Sequence, residues 1–376
     1  MAERIATEIA IIGGGLAGCS TALHLRQRNV PVVLLERAAC GSQASGVNYG
    51  GVRQQGRTLV ELPIARRSRA LWGRMAELVG SDCEFMATGH LKLARNETEM
   101  DVLETYAREA AGWGLELQLL GRNALRDRFP WAGDKVIGGS FCTDDGQANP
   151  RLVTPAFARR ARALGADIRE HTTVTAVERG SDGFRIETAA GLEVRARIVV
   201  NVAGAWGHEI AAQFGEHVPE EPISPNMCVT EPLPYFLTPN LGVVGADLYM
   251  RQIPRGNVIF GGGRGVNDAK AQRARPLPES ALASFQRALE VAPNLRGAHI
   301  IRFWTGIEGY MPDELPILDR SATTPGLIHA FGFSGHGFQL GPAVGAIVTE
   351  MALDGAPSTP IEPFRIGRFA SAPSKS

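Results

Sequence analysis

The chain has 376 residues, 44% hydrophobic and 21% charged, with 39 basic against 39 acidic side chains. That balance suits a globular chain with a sizeable core and removes the basic surface that nucleic-acid binding needs. Five scattered cysteines without a C-x-x-C pair point to neither a zinc site nor a disulfide framework, so no metal is expected.

No run reaches the roughly 18 apolar residues of a membrane span. Acids at Glu3 and Glu8 precede an immediate strand, so no signal peptide is read and a cytoplasmic protein is expected. Ile9 to Ile12 is a short apolar run of the kind a strand covered on both faces requires. Gly13, Gly15 and Gly18 follow in G-x-G-x-x-G spacing, and a helix over 16–28 carries Leu16, Ala17, Cys19, Ala22, Leu23 and Leu25. Val32 to Leu35 forms a second buried strand closed by Glu36, 18 positions past Gly18. Glycines for the tight turn and close approach, a helix N-terminus for phosphate and an acid for ribose together predict a dinucleotide site.

Residues 40–55 are glycine-rich and unpatterned, and read as a loop before a helix over 59–78. Residues 85–94 predict a hairpin with Gly89-His90 near its turn, and 97–112 an amphipathic helix. Asp144 to Pro150 is a turn cluster, its paired acids being turn residues, before a helix over 152–164. Two strand pieces over 168–177 and a meander over 183–196 lead to the buried strand 196–202, which ends in Ala203-Gly204. The proline-rich stretch 215–240 reads as irregular crossover into a second lobe. Residues 247–263 then form a hairpin turning at Pro254 to Asn257, and 278–292 a helix. Strand 327–331 leads through glycines 332, 335 and 337 to a helix beginning near Pro342, and the last twenty residues form a loose tail.

Five motifs in this order resemble the D-amino-acid oxidase superfamily of FAD-dependent oxidoreductases, the group that includes glycine and sarcosine oxidases and the flavin subunits of hydroxyproline and opine dehydrogenases. They are the opening glycine turn with Glu36-Arg37; Ser45 with Gly50-Gly51-Val52-Arg53-Gln54; Ala203-Gly204-Ala205-Trp206; Trp304-Thr305-Gly306 through Pro312-Asp313; and Gly332-Phe333-Ser334-Gly335-His336-Gly337-Phe338-Gln339. The resemblance implies an α/β fold with a Rossmann-like FAD-binding domain of the glutathione-reductase type, interleaved with an α+β substrate lobe on a mixed, largely antiparallel sheet. Residues 1–80, 141–215 and 300–376 would form the FAD domain, and 81–140 with 216–299 the substrate domain. It further implies that Val174 meets the adenine, that Ala203, Gly204 and Trp206 pass along the cofactor, and that the 332–339 loop caps the flavin.

On this resemblance the chain would remove hydride from the carbon next to an amine nitrogen of an amino acid or N-substituted amino acid. The imine product would then hydrolyse. Arg251 is the candidate carboxylate holder, or else a surface strand arginine. Glu308 stands where glycine oxidase has a carboxylate-binding arginine, which argues against simple glycine-like substrates. Glu308 would face a positively charged substrate nitrogen, or else form a structural ion pair with Arg302. His336 would touch flavin or substrate, or be a buried hydrogen-bonded histidine; Arg53 and Tyr249 are further candidates. No cysteine occurs in Gly309-Tyr310-Met311, where sarcosine oxidases attach the cofactor, so FAD is expected to be non-covalent. No lysine accompanies Phe260 to Gly263, which favours a dehydrogenase over an oxidase. An alternative is a flavin subunit passing electrons to partner subunits in a hetero-oligomer; otherwise a monomer or homo-oligomer is expected.

Overall fold

The structure is a computed structural model that describes residues 3–369. Two eight-stranded sheets organise it. In the first, strands run in the order Ile317–Arg320, Leu327–Phe331, Glu193–Asn201, Arg4–Ile12, Val32–Leu35 and Asp167–Arg169. From Leu327–Phe331 onward every neighbour in that series is parallel. Parallel strands need cover on both faces, and the opening strand divides its side chains accordingly. Ile9 and Ile11 enter a core with helices Leu16–Gln27, Pro150–Ala163 and Gly337–Leu353, whereas Ala10 and Ile12 pack with Phe184, Ile186 and Val194 of the meander. The meander strands Val174–Gly180 and Gly183–Thr188 branch antiparallel from Glu193–Asn201.

The second sheet runs Ile300–Thr305, Pro225–Pro232, Asn257–Arg264, Tyr249–Gln252, Asn240–Val243, His90–Ala94, Gly138–Cys142 and Gln118–Gly121. Helix Pro278–Val291 packs through Ala281, Ala288 and Val291 onto Phe260, Val258 and Met250. Strand Ile300–Thr305 belongs to this second sheet, although the sequence boundary at 300 assigned it to the other lobe.

Five local expectations change, the first being the tail, whose described part to Phe369 forms 3₁₀ turns Glu362–Phe364 and Ile366–Phe369 with Phe364 in the first core, residues 370–376 lying outside the described residues. The helix over 59–78 is a 3₁₀ turn Leu59–Glu61, then helices Leu62–Trp72 and Met75–Val79, interrupted at Gly73-Arg74. The 85–94 hairpin is absent: Met86 pairs with Gln147 and Gly89 N–H donates to Asp145, so distant partners replace the local turn. The crossover 215–240 contains strand Pro225–Pro232, whose prolines stand at its ends where the ladder register slips and no N–H is needed. The last long helix begins at Gly337, five residues before Pro342, which lies inside it.

Candidate active site

A cavity of about 360 Å³ runs from the opening glycine turn to the 332–338 loop. At its start Gly13 has φ +117°, and a Cβ there would overlap the Val202 carbonyl; a Cβ on Gly18 would overlap Gly13 O. These two glycines therefore make the turn and the close helix–strand approach, while Gly15, Leu16 and Ala17 line the cavity at the helix N-terminus. Leu16 N–H donates to Ser45 Oγ at 3.0 Å. Glu36 lines the wall and accepts from Gly14 N–H at 2.6 Å and Ala38 N–H at 2.8 Å, which orients its carboxylate. Arg37 stacks over the Trp206 ring at 3.6 Å and closes one side. Val174, Ala203 and Gly204 complete this half; Gly204 has φ +59° and open space where a Cβ would stand.

At the other end Gly332 (φ +69°), Ser334 (φ +49°) and Gly335 (φ +81°) hold a left-handed loop against the cavity. Ser334 tolerates this conformation because its hydroxyl accepts from Met311 N–H at 3.0 Å and its own N–H donates to Gly309 O at 2.9 Å. Gly337 and Phe338 begin the helix here, so unpaired first-turn N–H groups and the positive end of the helix dipole meet the cavity.

Glu308 lines the cavity beside this loop. A Cβ on Gly335 would stand 2.9 Å from Tyr310 Oη and 3.8 Å from Glu308 Oε2, which places carboxylate and phenol together at the loop. Glu308 forms no ion pair among the described residues, Arg302 included. Burial alone pushes its carboxyl up to about 7. Tyr249, whose hydroxyl donates to Asn226 O at 3.0 Å, is raised by burial and by Glu308. Its ring packs on Tyr49 at 4.6 Å.

Several candidates lie off the cavity. Arg251 is buried, not a surface arginine, with its guanidinium over Gly50 and Nη1 donating to Gln147 at 3.4 Å; burial lowers it to about 10. Gly51 packs on the Tyr49 ring and Gly306 on Val47, so closeness of chain to chain explains both. Gln339 points away: its Nε2 donates to Ala65 O and its backbone carbonyl accepts from Ser68 Oγ and Trp72 Nε1, anchoring helix to helix. His336 is buried with Nδ1 2.9 Å from Glu61. Burial and Arg57 outweigh Glu61 and hold the ring down to about 4, so at neutral pH it is uncharged and donates Nδ1–H to the carboxylate. Arg53 donates from Nη1 to Gln55 O at 2.8 Å.

The sequence reading passed over Tyr49, Tyr310, Glu61, Arg57 and Lys92. Thr58-x-x-Glu61 forms a capping box, a local signal that would have located Glu61; no local pattern marks the others. No group of three or more His, Cys, Asp or Glu side chains among the described residues could hold a metal ion. No helix among them is long and apolar enough to cross a membrane.

A family model described as FAD dependent oxidoreductase (DAO) matches residues 8–351. The chain belongs to the DAO family. It is 29% identical to an opine oxidase subunit of Rhizobium meliloti, over 96% of this chain and 97% of that one. Glycine oxidase of Geobacillus kaustophilus is 27% identical, with 96% and 97% covered. Among solved structures, L-proline dehydrogenase from P. horikoshii superposes with a TM-score of 0.90 at 28% identity, covering 98% of this chain and 99% of that one.

The cavity fits the cofactor of this family of FAD-dependent oxidoreductases. Gly13, Gly15, Leu16 and Ala17 would hold the pyrophosphate, Glu36 a ribose, Val174 the adenine end and Gly332 to Phe338 the flavin. The physical ground is the glycine cradle, the oriented acid and the two helix N-termini along one trench.

Proposed function

We propose that the chain dehydrogenates the carbon next to the nitrogen of an amino acid, most favourably one with a secondary amine. The observation that carries this reading is Glu308, an unpaired carboxylate with its pKa near 7 beside Gly335 and Tyr310. A carboxylate so placed accepts the proton of a substrate ammonium and leaves the nitrogen lone pair free to expel hydride. Bound FAD supplies the two-electron acceptor for that hydride. Tyr249 and Tyr49 form an aromatic wall, and Arg53 is the positively charged side chain assigned to the substrate carboxylate. Water then adds to the iminium carbon, and its collapse releases a carbonyl compound and the amine.

Anaerobic mixing of the FAD-loaded protein with D-, L-, N-alkyl and cyclic amino acids tests this. Bleaching of the flavin by N-alkyl or cyclic amino acids, weakened in Glu308→Gln, is expected; bleaching that the substitution leaves unchanged contradicts Glu308's role.

A second reading is that electrons leave to a partner protein. Two relatives whose names make them components of larger enzymes support it: the opine oxidase subunit above, and the hydrogen cyanide synthase subunit HcnC, which is 27% identical. So does the outer strand Ile300–Thr305, where Ile301 and Phe303 are 60% and 42% exposed. Peroxide formed in step with substrate by the isolated chain in air would refute this second reading.

A further inference from the structure

The outer side of the cavity wall gathers positive charge that the proposed oxidation does not use. Strands Val266–Asp268 and Arg273–Arg275 form an antiparallel hairpin, and the second of them lies against Ile300–Thr305, the terminal strand of the second sheet. Residues 264–275 and 300–305 hold five cations: Arg264, Lys270, Arg273, Arg275 and Arg302. All are exposed, and none makes a salt bridge with a described residue. The one acid in these segments, Asp268, already accepts from Ala271 N–H at 3.0 Å. A chain with no net charge thus carries a locally cationic face. Val266, Ile301 and Phe303 add exposed apolar surface to the same segments.

This face backs onto the cavity. Ala274 packs on Ala205, Trp206 and Ile307, all three of which line it, so Arg273 and Arg275 on either side of Ala274 point away from the cavity. Ala269 O accepts from Trp206 Nε1 at 3.0 Å. From the edge strand, Trp304 Nε1 donates to Val47 O at 2.6 Å, at the end of helix Ala44–Val47 whose Ala44 and Ser45 also line the cavity. Strand Ile300–Thr305 has a ladder neighbour on one side only, and Ile301, Arg302 and Phe303 are exposed in succession. Its outer backbone groups can therefore pair with an added strand. The unpaired arginines select acidic side chains on that strand. A second copy meeting this face about a two-fold axis would set the arginines against themselves. Lipid headgroups would meet the charge and leave the strand's backbone groups unpaired.

We propose that strand Ile300–Thr305 and the 264–275 hairpin form the docking surface for a protein electron acceptor, which adds an acidic extended segment to the sheet edge. This rests on the second reading above, in which electrons leave to a partner, and it names the surface and the partner's chemistry. For each substrate oxidised, the two electrons of the hydride pass to the partner's redox centre and its proton to water, which returns the flavin to its oxidised form.

The test uses the FAD-loaded protein with two soluble peptides, one alternating glutamate with valine and one alternating lysine with valine, and with an acidic b-type cytochrome as electron acceptor. With no amine present, the glutamate peptide should slow amide exchange at 300–305, and the lysine peptide should not. With amine present, the glutamate peptide should compete with cytochrome reduction. The double variant Arg275→Glu, Arg302→Glu should reduce the acidic cytochrome on the order of 10-fold more slowly, while anaerobic bleaching by amine stays unchanged. Its exchange at 300–305 should now respond to the lysine peptide. Added salt should slow cytochrome reduction by the parent protein, which reads the charge without any substitution. Equal protection by the two peptides, protection by neither, or cytochrome reduction indifferent to both salt and charge reversal would overturn the surface. Binding to phosphatidylglycerol vesicles without protection by the glutamate peptide would assign the face to a membrane and overturn it too. The two readings fail separately: peroxide formed in step with substrate overturns electron exit and leaves the peptide protection standing, whereas loss of that protection removes the surface and leaves amine bleaching standing.

Discussion

Glu308 shows how one half-buried side chain at the cavity ties stability to pH. Its ordinary pKa of 4.5 is pushed to about 7 in the fold, so the native state keeps a proton that the unfolded chain has already lost. Stability from this residue is therefore undiminished below pH 4.5 and declines as pH rises through 7. Glu308→Gln should be the more stable protein above pH 7 and no different near pH 4, as denaturant titrations at the two pH values will show. Turnover moves the other way, since only the carboxylate accepts a proton: kcat/KM should rise through about pH 7, and Glu308→Gln should lose that rise and about 10²-fold in rate. At the opposite end of the cavity, Gly13→Ala forces a Cβ onto the Val202 carbonyl at φ +117°. The cost is on the order of 1–3 kcal/mol of strain, and the expected outcome is a protein that purifies with little or no bound FAD.

Elements with strong periodicity and local caps were legible from the sequence. Helix Leu16–Gln27 and helix Glu97–Ala111 follow their apolar spacing, the second fixed by the Asn96 side chain accepting from Glu99 N–H. Elements whose partners lie far along the chain were not. Residues 85–94 carry strand chemistry, yet Met86 pairs with Gln147 and His90 with Cys142, choices that no local pattern announces. Pro342 misled for a related reason: it marks a helix start by propensity, but the helix is set five residues earlier by the Gly335-His336-Gly337 loop. The His336–Glu61 pair joins that helix to the segment starting at Leu59. His336, with an ordinary value of 6.5, is held down to about 4, so stability should fall as pH drops from 6.5 towards 4, where the unfolded chain takes up the proton first. His336→Asn should flatten that part of the curve, which thermal denaturation between pH 4 and 7 reads directly.

At the scale of the molecule, the parallel sheet carries the glycine turn at the start of the cavity, and Tyr249 stands on the second sheet. That the opening glycine turn and the 332–338 loop would line one cavity was largely legible, because each part is a short motif. The surroundings of Glu308 were less so, because Tyr310 and the Tyr49–Tyr249 pair come from separate segments. Arg251 lies buried with its guanidinium over Gly50. No cysteine lines the cavity among the described residues, so acid precipitation should leave a white pellet and release all flavin into the supernatant.

The central claim is that FAD lies along this trench with its reactive end at Glu308, ready to take hydride from a carbon bonded to nitrogen. The most direct measurement is anaerobic mixing of the FAD-loaded chain with a secondary-amine amino acid, watched at the flavin band (roughly 450 nm), with the carbonyl product assayed alongside. One carbonyl formed per flavin bleached is the predicted result. A chain that stays colourless after incubation with FAD, or whose flavin stays yellow with every amine offered, would contradict the account.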